Sequence, residues 1–212
     1  MYAKFLKRLF GFLLSLGMLT VLSPLLLVLT ITGAAAMKGN PFFTQARPGR
    51  HEKIFRLIKF RSMTNEKGPD GKLLPDSQRL KPYGRFLRAS SLDELPELFN
   101  ILLGQMALVG PRPLLVQYLP YYTEEEKHRH DVRPGLTGLA QVNGRNLIGW
   151  DERLRYDTEY VKHITFTGDL RILLKTVRKV FTHKDRAVDT DTAESYLDDE
   201  RRGALHDQSI RD

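Results

Sequence analysis

The sequence predicts an α+β fold class: a mainly helical, monotopic membrane protein with a Pro-broken reentrant helix at its N-terminus, a small β-hairpin and surface amphipathic helices. Three observations predict this. A run of 29 residues from Leu9 to Met37 carries no charge, apolar residues recur at helical spacing in later segments, and residues 54–60 have strand-like composition. About 150 residues lie between the uncharged run and a polar tail, which is enough for one compact domain.

The uncharged run is too long for the core helix of a small domain, and it predicts a membrane helix. A cleaved signal peptide is an alternative, because Ala34–Ala36 resembles a cleavage site, but the apolar region is longer than such peptides use. Pro24 near the middle breaks or kinks the helix, and the Ser23 hydroxyl can bond a freed carbonyl. We call Ser23 and Pro24 the membrane break.

Basic residues flank both ends of the run: Lys4, Lys7 and Arg8 before it, and Lys38, Arg47, Arg50 and Lys53 after it. The positive-inside rule then places both ends in the cytoplasm, which a helix that enters one leaflet and returns can satisfy. An ordinary kinked span with a basic domain behind it is the other interpretation. The flanking charges and the proline leave both open.

Charge divides the chain into three parts: an anchor over residues 1–38, a catalytic domain over 39–184 and a polar, acidic, weakly ordered tail over 185–212. The tail carries 9 acidic and 4 basic residues, and the whole chain carries +8, so the rest carries +13. A basic body favours anionic lipid, phosphate or nucleic acid as partners. The absence of cysteine excludes disulfides, thiolate metal sites and thiol nucleophiles.

The hairpin is predicted from two short apolar segments, Phe42–Gln45 and Ile54–Phe60, with a turn at Arg47–Arg50 between them. A polar loop at residues 64–78 follows, and then a short helix that contains Tyr83 and Leu87 and runs into Arg88.

The next helix is predicted to begin after Ser91 and to carry Asp93 and Glu94 in its first turn. There they would face unpaired backbone N–H groups and the positive end of the helix dipole, which would keep Asp93 ionised. With Arg88 before and Arg112 after them, these carboxylates suit phosphate chemistry with a divalent metal. A purely structural interpretation is a capping box from Ser91 to Glu94.

Four further segments complete the domain. Thr123 to Glu126 predicts a capping box that opens a helix, residues 133–146 predict a glycine-rich loop, and residues 150–163 predict a helix. Residues 169–181 predict an amphipathic helix with a basic face. That helix can lie on a membrane surface or pack on the core with a solvated charged face, and both interpretations stay open.

Seven short sequence blocks follow one another along the chain: Ser23-Pro24 within the apolar run, Phe43–Gly49, Lys59–Met63, Ser91–Leu98, Val109–Pro113, Arg133–Gly138 and Gln141–Arg145. From about Phe5 to Phe181 they resemble the bacterial sugar transferases of the monotopic phosphoglycosyl transferase superfamily. The chain is most similar to the minimal enzymes that act on diacetylbacillosamine.

The resemblance implies a two-step transfer. Asp93 matches a nucleophile that attacks the β-phosphate of a UDP-sugar, such as UDP-diacetylbacillosamine, and releases UMP. Undecaprenyl phosphate then takes the phosphosugar from the aspartate, and Glu94 matches the partner carboxylate that acts as a base toward the lipid phosphate. Mg²⁺, held partly by Asp93, neutralises the pyrophosphate. This reaction is the first membrane step of glycoconjugate assembly.

The resemblance also assigns the binding residues. Lys59, Arg88 and Arg112 match positions that bind substrate phosphate, and Gln141 and Arg145 match positions that bind the nucleotide. The other implied partners are anionic lipids at the bacterial inner membrane, with the catalytic domain facing the cytoplasm and no nucleic acid. A homodimer is left open.

The sequence departs from the family at one segment. The family often has Gly-Asp-Met-Ser before its Val-Gly-Pro-Arg-Pro block, where this chain has Gln105 and Ala107 in place of the acid and the hydroxyl.

Two other function classes stay open. A membrane-anchored, Mg²⁺-dependent phosphohydrolase would use water as the acceptor. A non-enzymatic basic lipid-binding module would need no dyad of carboxylates.

Overall fold

The structure is a computed structural model that describes residues 2–144, 148–182 and 196–202. The predicted α+β class is confirmed, because helices dominate the described chain and a two-stranded antiparallel sheet supplies the hairpin.

The uncharged run forms two helices, α1 (Lys7–Val21) and α2 (Ser23–Met37), after an opening turn at Tyr2–Leu6. The break falls at Leu22, just before Ser23, and Pro24 lies in the first turn of α2, where its missing N–H is not needed. Ser23 Oγ donates to the Thr20 carbonyl at 2.8 Å, as its position predicts.

The bend between the two N-terminal helices is 65°. Within the described residues, neither helix alone has the length and apolar composition to cross a membrane, whereas this bent pair has them together.

The predicted hairpin is present as β1 (Phe42–Pro48) and β2 (Ile54–Phe60), which pair antiparallel from Phe42 opposite Phe60 to Pro48 opposite Ile54. The fully buried Asn100 also contacts β2. Its side chain accepts from the Ile58 amide at 3.0 Å and donates to the Arg56 carbonyl at 2.8 Å. Asn100 therefore ties the hairpin to the segment that carries the acidic residues.

That segment differs from the predicted single helix. After the short α3 (Asp76–Arg79), α4 (Pro82–Ser90) ends at Ser91 in the left-handed conformation, with φ 58°. Asp93 and Glu94 lie in a separate 3₁₀ turn, Leu92–Glu94, and α5 (Glu97–Leu102) begins after Pro96. The Ser91 side chain makes no capping bond, so the capping-box interpretation is wrong here.

The glycine-rich loop predicted for residues 133–146 instead contains two elements, β4 (Gly135–Thr137) and α7 (Leu139–Asn143). β4 pairs in parallel with β3 (Ala107–Val109). The prediction was wrong because glycine permits a close approach here, where a Cβ at Gly135 would lie 2.1 Å from the Gly110 nitrogen.

Three more α-helices complete the described fold up to Thr182. They are α6 (Glu124–Lys127), with the predicted Thr123–Glu126 capping box, α8 (Trp150–Lys162) and α9 (Phe166–Thr182). In the acidic tail, residues 197–202 are helical, and Leu197 is fully buried against a cluster that includes Trp150 and Leu154. Because the Leu197 side chain is buried, residues 197–202 are more ordered than the polar composition of the tail predicts.

Candidate active site

A solvent-accessible cavity of about 520 Å³ lies beside the 3₁₀ turn Leu92–Glu94, which we call the acidic turn. It is lined by six of the seven residues to which the sequence assigns a catalytic or substrate-binding role: Lys59, Arg88, Asp93, Glu94, Arg112 and Gln141. The seventh, Arg145, lies outside the described residues. Residues that are up to 82 positions apart in the chain thus line one cavity.

Asp93 presents a carboxylate without a partner to this cavity. No hydrogen bond or ion pair joins its side chain to any other residue in the described part of the chain. Burial, followed by the charge of Glu94, raises the pKa of Asp93 to about 6. The predicted dipole effect has the opposite sign, and burial together with the Glu94 charge outweighs it. Asp93 is still mostly ionised at neutral pH.

Glu94, the next residue, is held in place by two cations. Its Oε1 accepts from Lys59 Nζ at 2.9 Å and from Arg112 Nη2 at 2.8 Å. Burial opposes ionisation, but the charges of Lys59 and Arg112 outweigh it and hold the pKa of Glu94 far below its usual range. Glu94 is therefore an ionised carboxylate and a weak base in this arrangement.

A third carboxylate, Glu97, shares Lys59 and was not predicted from the sequence. Its Oε1 lies 3.1 Å from Lys59 Nζ, and its side chain is 3% exposed. Burial and the neighbouring Glu94 raise the pKa of Glu97 to about 7. Its place three residues after Glu94 is a signal that could have found it, because residues so spaced share a helix face.

The arginines give the cavity its positive charge. Arg88 donates from Nε to Ser62 Oγ at 3.1 Å, and the Arg112 side chain remains 42% exposed while it binds Glu94. Four further arginines line the cavity and were not predicted as site residues: Arg47, Arg61, Arg79 and Arg153. Arg47 could have been found from the alternation of strand side chains, which places it on the same face of β1 as Phe43. Such a lining suits phosphate groups.

The Arg112 backbone is fixed by a buried ion pair. Arg129 and Asp157 have side chains 1% and 2% exposed, and Arg129 Nη2 lies 2.7 Å from Asp157 Oδ2. The same nitrogen donates to the Arg112 carbonyl at 2.7 Å. Breaking this ion pair would leave a buried charge unpaired, which is costly, so Arg129 is held firmly in place. The Arg112 carbonyl that it binds is held with it. Neither residue was predicted from the sequence.

Gln141 is buried at the cavity wall, where its Nε2 donates to the Leu136 carbonyl at 3.3 Å. Its Oε1 is buried without a hydrogen-bond partner, as is Oδ1 of Asp157, which also lines the cavity.

The departure from the family at Gln105 has a structural outcome. Gln105 Oε1 accepts from Asn100 Nδ2 at 2.6 Å, so the amide oxygen supplies an acceptor to the side chain that joins α5 to β2. Ala107 takes part in the parallel pair through its backbone, opposite Gly135.

The donor set fits a magnesium ion held mostly by substrate. Among the described residues, no group of three or more His, Asp or Glu side chains could hold a metal. Asp93 offers an unpartnered carboxylate, and Mg²⁺ is commonly bound by one or two carboxylates together with phosphate oxygens and water. Asp93 is therefore the side chain that fits the ion best.

Comparison with known proteins gives one consistent family. A sequence model of the family described as bacterial sugar transferase matches residues 2–183. The chain is 51% identical over 176 residues to the "Uncharacterized sugar transferase EpsL" of Bacillus subtilis, an alignment that covers 82% of this chain and 87% of that one.

Two longer relatives carry names that state an activity. The "Undecaprenyl-phosphate galactose phosphotransferase" of Salmonella typhimurium is 40% identical over 207 residues, and the match covers 87% of this chain and 42% of the relative. The "UDP-glucose:undecaprenyl-phosphate glucose-1-phosphate transferase" of Klebsiella pneumoniae is 39% identical over 188 residues, covering 84% and 40%. The chain thus spans about two fifths of the length of these two relatives.

Proposed function

This chain belongs to the bacterial sugar transferase family, and we propose that it moves a sugar 1-phosphate from a UDP-sugar to undecaprenyl phosphate with release of UMP. The observation that carries the proposal is the contrast between the two adjacent carboxylates. Asp93 is unpartnered at the wall of an arginine-lined cavity, whereas Glu94 is bound by two cations.

In the first step, an Asp93 carboxylate oxygen bonds to the β-phosphorus of the UDP-sugar. The bond from that phosphorus to the bridging oxygen breaks, and UMP leaves with the bond electrons. A phosphosugar–aspartate intermediate remains. Arg88 and Arg112 bind phosphate oxygens and stabilise the charge that shifts to UMP. A magnesium ion, when bound by Asp93 and the phosphates, supplies further charge neutralisation.

In the second step, a phosphate oxygen of undecaprenyl phosphate attacks the same phosphorus, and the Asp93 carboxylate leaves. A phosphate monoester has its second pKa near 6, so the acceptor is already mostly dianionic at neutral pH. It therefore needs little help from a base. We assign Glu94 chiefly to the orientation of Lys59 and Arg112, and a base function would require substrate phosphates to draw those cations away from it first.

We propose a general class of donor and, within it, a specific type of sugar. A UDP-sugar follows from the family, and relatives are named for galactose and for glucose. The resemblance of the blocks favours an N-acetylated amino sugar such as diacetylbacillosamine. A screen of UDP-sugars for UMP release with undecaprenyl phosphate would rank these donors.

We also propose that the enzyme is monotopic at the inner membrane and faces the cytoplasm. Three features support this: the bent apolar pair α1 and α2, the basic residues on both sides of it, and exposed apolar side chains on α9. Phe166, Leu170, Leu174 and Val177 lie at helical spacing on α9 and are 45–62% exposed. Such a face, beside a basic one, suits the headgroup region of anionic lipids.

The deciding experiment is to trap the intermediate. The enzyme is incubated with UDP-sugar and Mg²⁺ without acceptor, and its intact mass is measured. The proposal expects one phosphosugar adduct on the peptide that contains Asp93, discharged by undecaprenyl phosphate, and none in Asp93→Asn. Continuous UMP release without a lipid acceptor would instead support the phosphohydrolase.

A further inference from the structure

The three basic residues before the uncharged run differ in their surroundings. Lys4 is exposed and forms no ion pair with any described residue. Lys7 and Arg8, one helical turn later, both bind groups of the catalytic domain. Charge counting along the sequence treats all three alike, but only Lys4 is free to act as a simple lipid-facing charge.

Arg8 binds the end of the helix that follows the acidic turn. Its Nη1 donates to the Ile101 carbonyl at 2.6 Å and its Nη2 to the Leu102 carbonyl at 2.9 Å. Carbonyls in the last turn of a helix lack partners within it, and a cation there also meets the negative end of the dipole. The guanidinium fork therefore fixes the C-terminal end of α5 to the membrane helix α1.

The position of α5 determines the geometry of the acidic turn. The helix has six residues, and it begins three residues after Glu94. Its first residue, Glu97, binds Lys59, and Asn100 in its middle binds the backbone of β2. A shift of α5 along its axis would therefore move the contacts that hold Lys59 and Glu94 together.

Lys7 makes a second connection, to the segment that carries Arg112. Lys7 Nζ binds Asp169 Oδ2 at 2.5 Å and also contacts the Tyr160 hydroxyl. The Tyr160 oxygen lies 2.7 Å from Asp169 Oδ1 and 3.2 Å from the Val109 carbonyl, three residues before Arg112. The Lys7 side chain is 12% exposed, so this contact lies largely away from solvent.

We propose that Lys7 and Arg8 are positioning residues, which transmit the seating of the anchor helix in the membrane to the acidic turn and to Arg112. In this view the membrane helix is part of the active-site scaffold as well as an anchor. Turnover then depends on how α1 sits in the bilayer. The activity readout of this inference rests on the proposed function.

The test compares two variants that each remove one positive charge from the same end of the chain, Arg8→Gln and Lys4→Gln. Full-length proteins are placed in phosphatidylethanolamine–phosphatidylglycerol vesicles. Vesicle association, KM for the UDP-sugar and kcat for UMP release are measured. Arg8→Gln loses the two charge-assisted hydrogen bonds that fix the end of α5. Because α5 positions the acidic turn, we expect its kcat to fall by about tenfold or more. Its KM and vesicle association should be unchanged, and Lys4→Gln should match the unmodified enzyme in kcat and KM.

Arg8→Lys is the conservative variant. It keeps the charge, but its ammonium lacks the planar fork that reaches both carbonyls, so its kcat should fall between that of the unmodified enzyme and that of Arg8→Gln. If Arg8→Gln does not give folded protein, Arg8→Lys decides: a reduced kcat with normal vesicle association supports the proposal, and full kcat overturns it.

Hydrogen exchange gives a readout that needs no activity. Amides of residues 97–103 should exchange faster in Arg8→Gln and at the normal rate in Lys4→Gln. Equal losses of kcat in the two variants, or full kcat in Arg8→Gln, would overturn the inference. So would a loss that follows vesicle association, because the charge would then act on lipid. If the unmodified protein releases no UMP, the proposed function fails, and the exchange comparison still decides this inference.

Discussion

The Glu94 carboxylate and the Arg112 guanidinium form an ion pair at 2.8 Å, and this pair separates the chemistry of two adjacent acids. The cations hold the pKa of Glu94 low, while burial and the Glu94 charge raise that of Asp93 to about 6. One residue is thereby kept as a fixed anion. The other stays free of protein partners, as a nucleophile requires.

Glu94→Gln is expected to lower turnover by about 100-fold, because the amide leaves Lys59 and Arg112 without their shared anion. Steady-state UMP release measures this, and the unfolding midpoint serves as the control for stability. A capping role alone would predict about 1 kcal/mol of lost stability and near-normal turnover. That result would contradict the arrangement described for the 3₁₀ turn.

Arg112→Lys is expected to restore little of the activity lost in Arg112→Ala. The lysine ammonium lacks the planar fork that can bind Glu94 and a phosphate oxygen together. Both kcat and the KM for the UDP-sugar should change, since the proposed function places Arg112 against both substrate and transition state. The matched control is Arg155→Ala, which removes an exposed arginine from outside the cavity and should leave the kinetics unchanged. Full recovery with lysine would mean that any nearby positive charge suffices.

Glu97→Gln is expected to change how stability depends on pH. Glu97 has an ordinary pKa of 4.5 and a folded-state pKa of about 7, so the folded protein binds the extra proton between these values. Stability must therefore fall as pH rises across this window. Glutamine removes that slope, and the variant should gain stability relative to the unmodified protein as pH rises from about 5 to about 8. The measurement is the unfolding midpoint at each pH, followed by Trp150 fluorescence in detergent.

A difference between the two proteins that stays constant across this pH range would contradict the shifted pKa of Glu97. The matched control is Glu159→Gln, on α8, because Glu159 is exposed and has no salt bridge among the described residues. That variant should follow the unmodified protein at every pH.

The sequence predicts those features of the fold and site that depend on the pattern of neighbouring residues. Strand composition predicted the hairpin, and spacing with turn signals predicted Asp93 and Glu94 between two arginines. It could not predict the pairing of Lys59 with Glu97 or of Arg129 with Asp157, because partners 28 or more residues apart meet only through packing. The three-residue strands β3 and β4 were missed for the same reason. β3 is too short to be recognised by itself, and Gly135 in β4 indicates a loop when the partner strand is unknown.

Pro24→Ala is expected to move part of the population to a full membrane span. Alanine restores a backbone donor and removes the ring clash, so that α1 and α2 can join as one helix. A straight helix of the 29 uncharged residues would be about 43 Å long, and the hydrocarbon core is about 30 Å thick. The N-terminus of those molecules would then lie on the far side.

The chain has no native cysteine, so Ala3→Cys gives a single labelling site near the N-terminus. An impermeant maleimide added to intact spheroplasts should label this cysteine only in the Pro24→Ala background. Leu25→Ala, in the same helical turn, is the control and should stay unlabelled, because it removes apolar surface and leaves the break intact. If the protein with Pro24 is already labelled from outside, the reentrant arrangement is wrong and the bent pair is a kinked span.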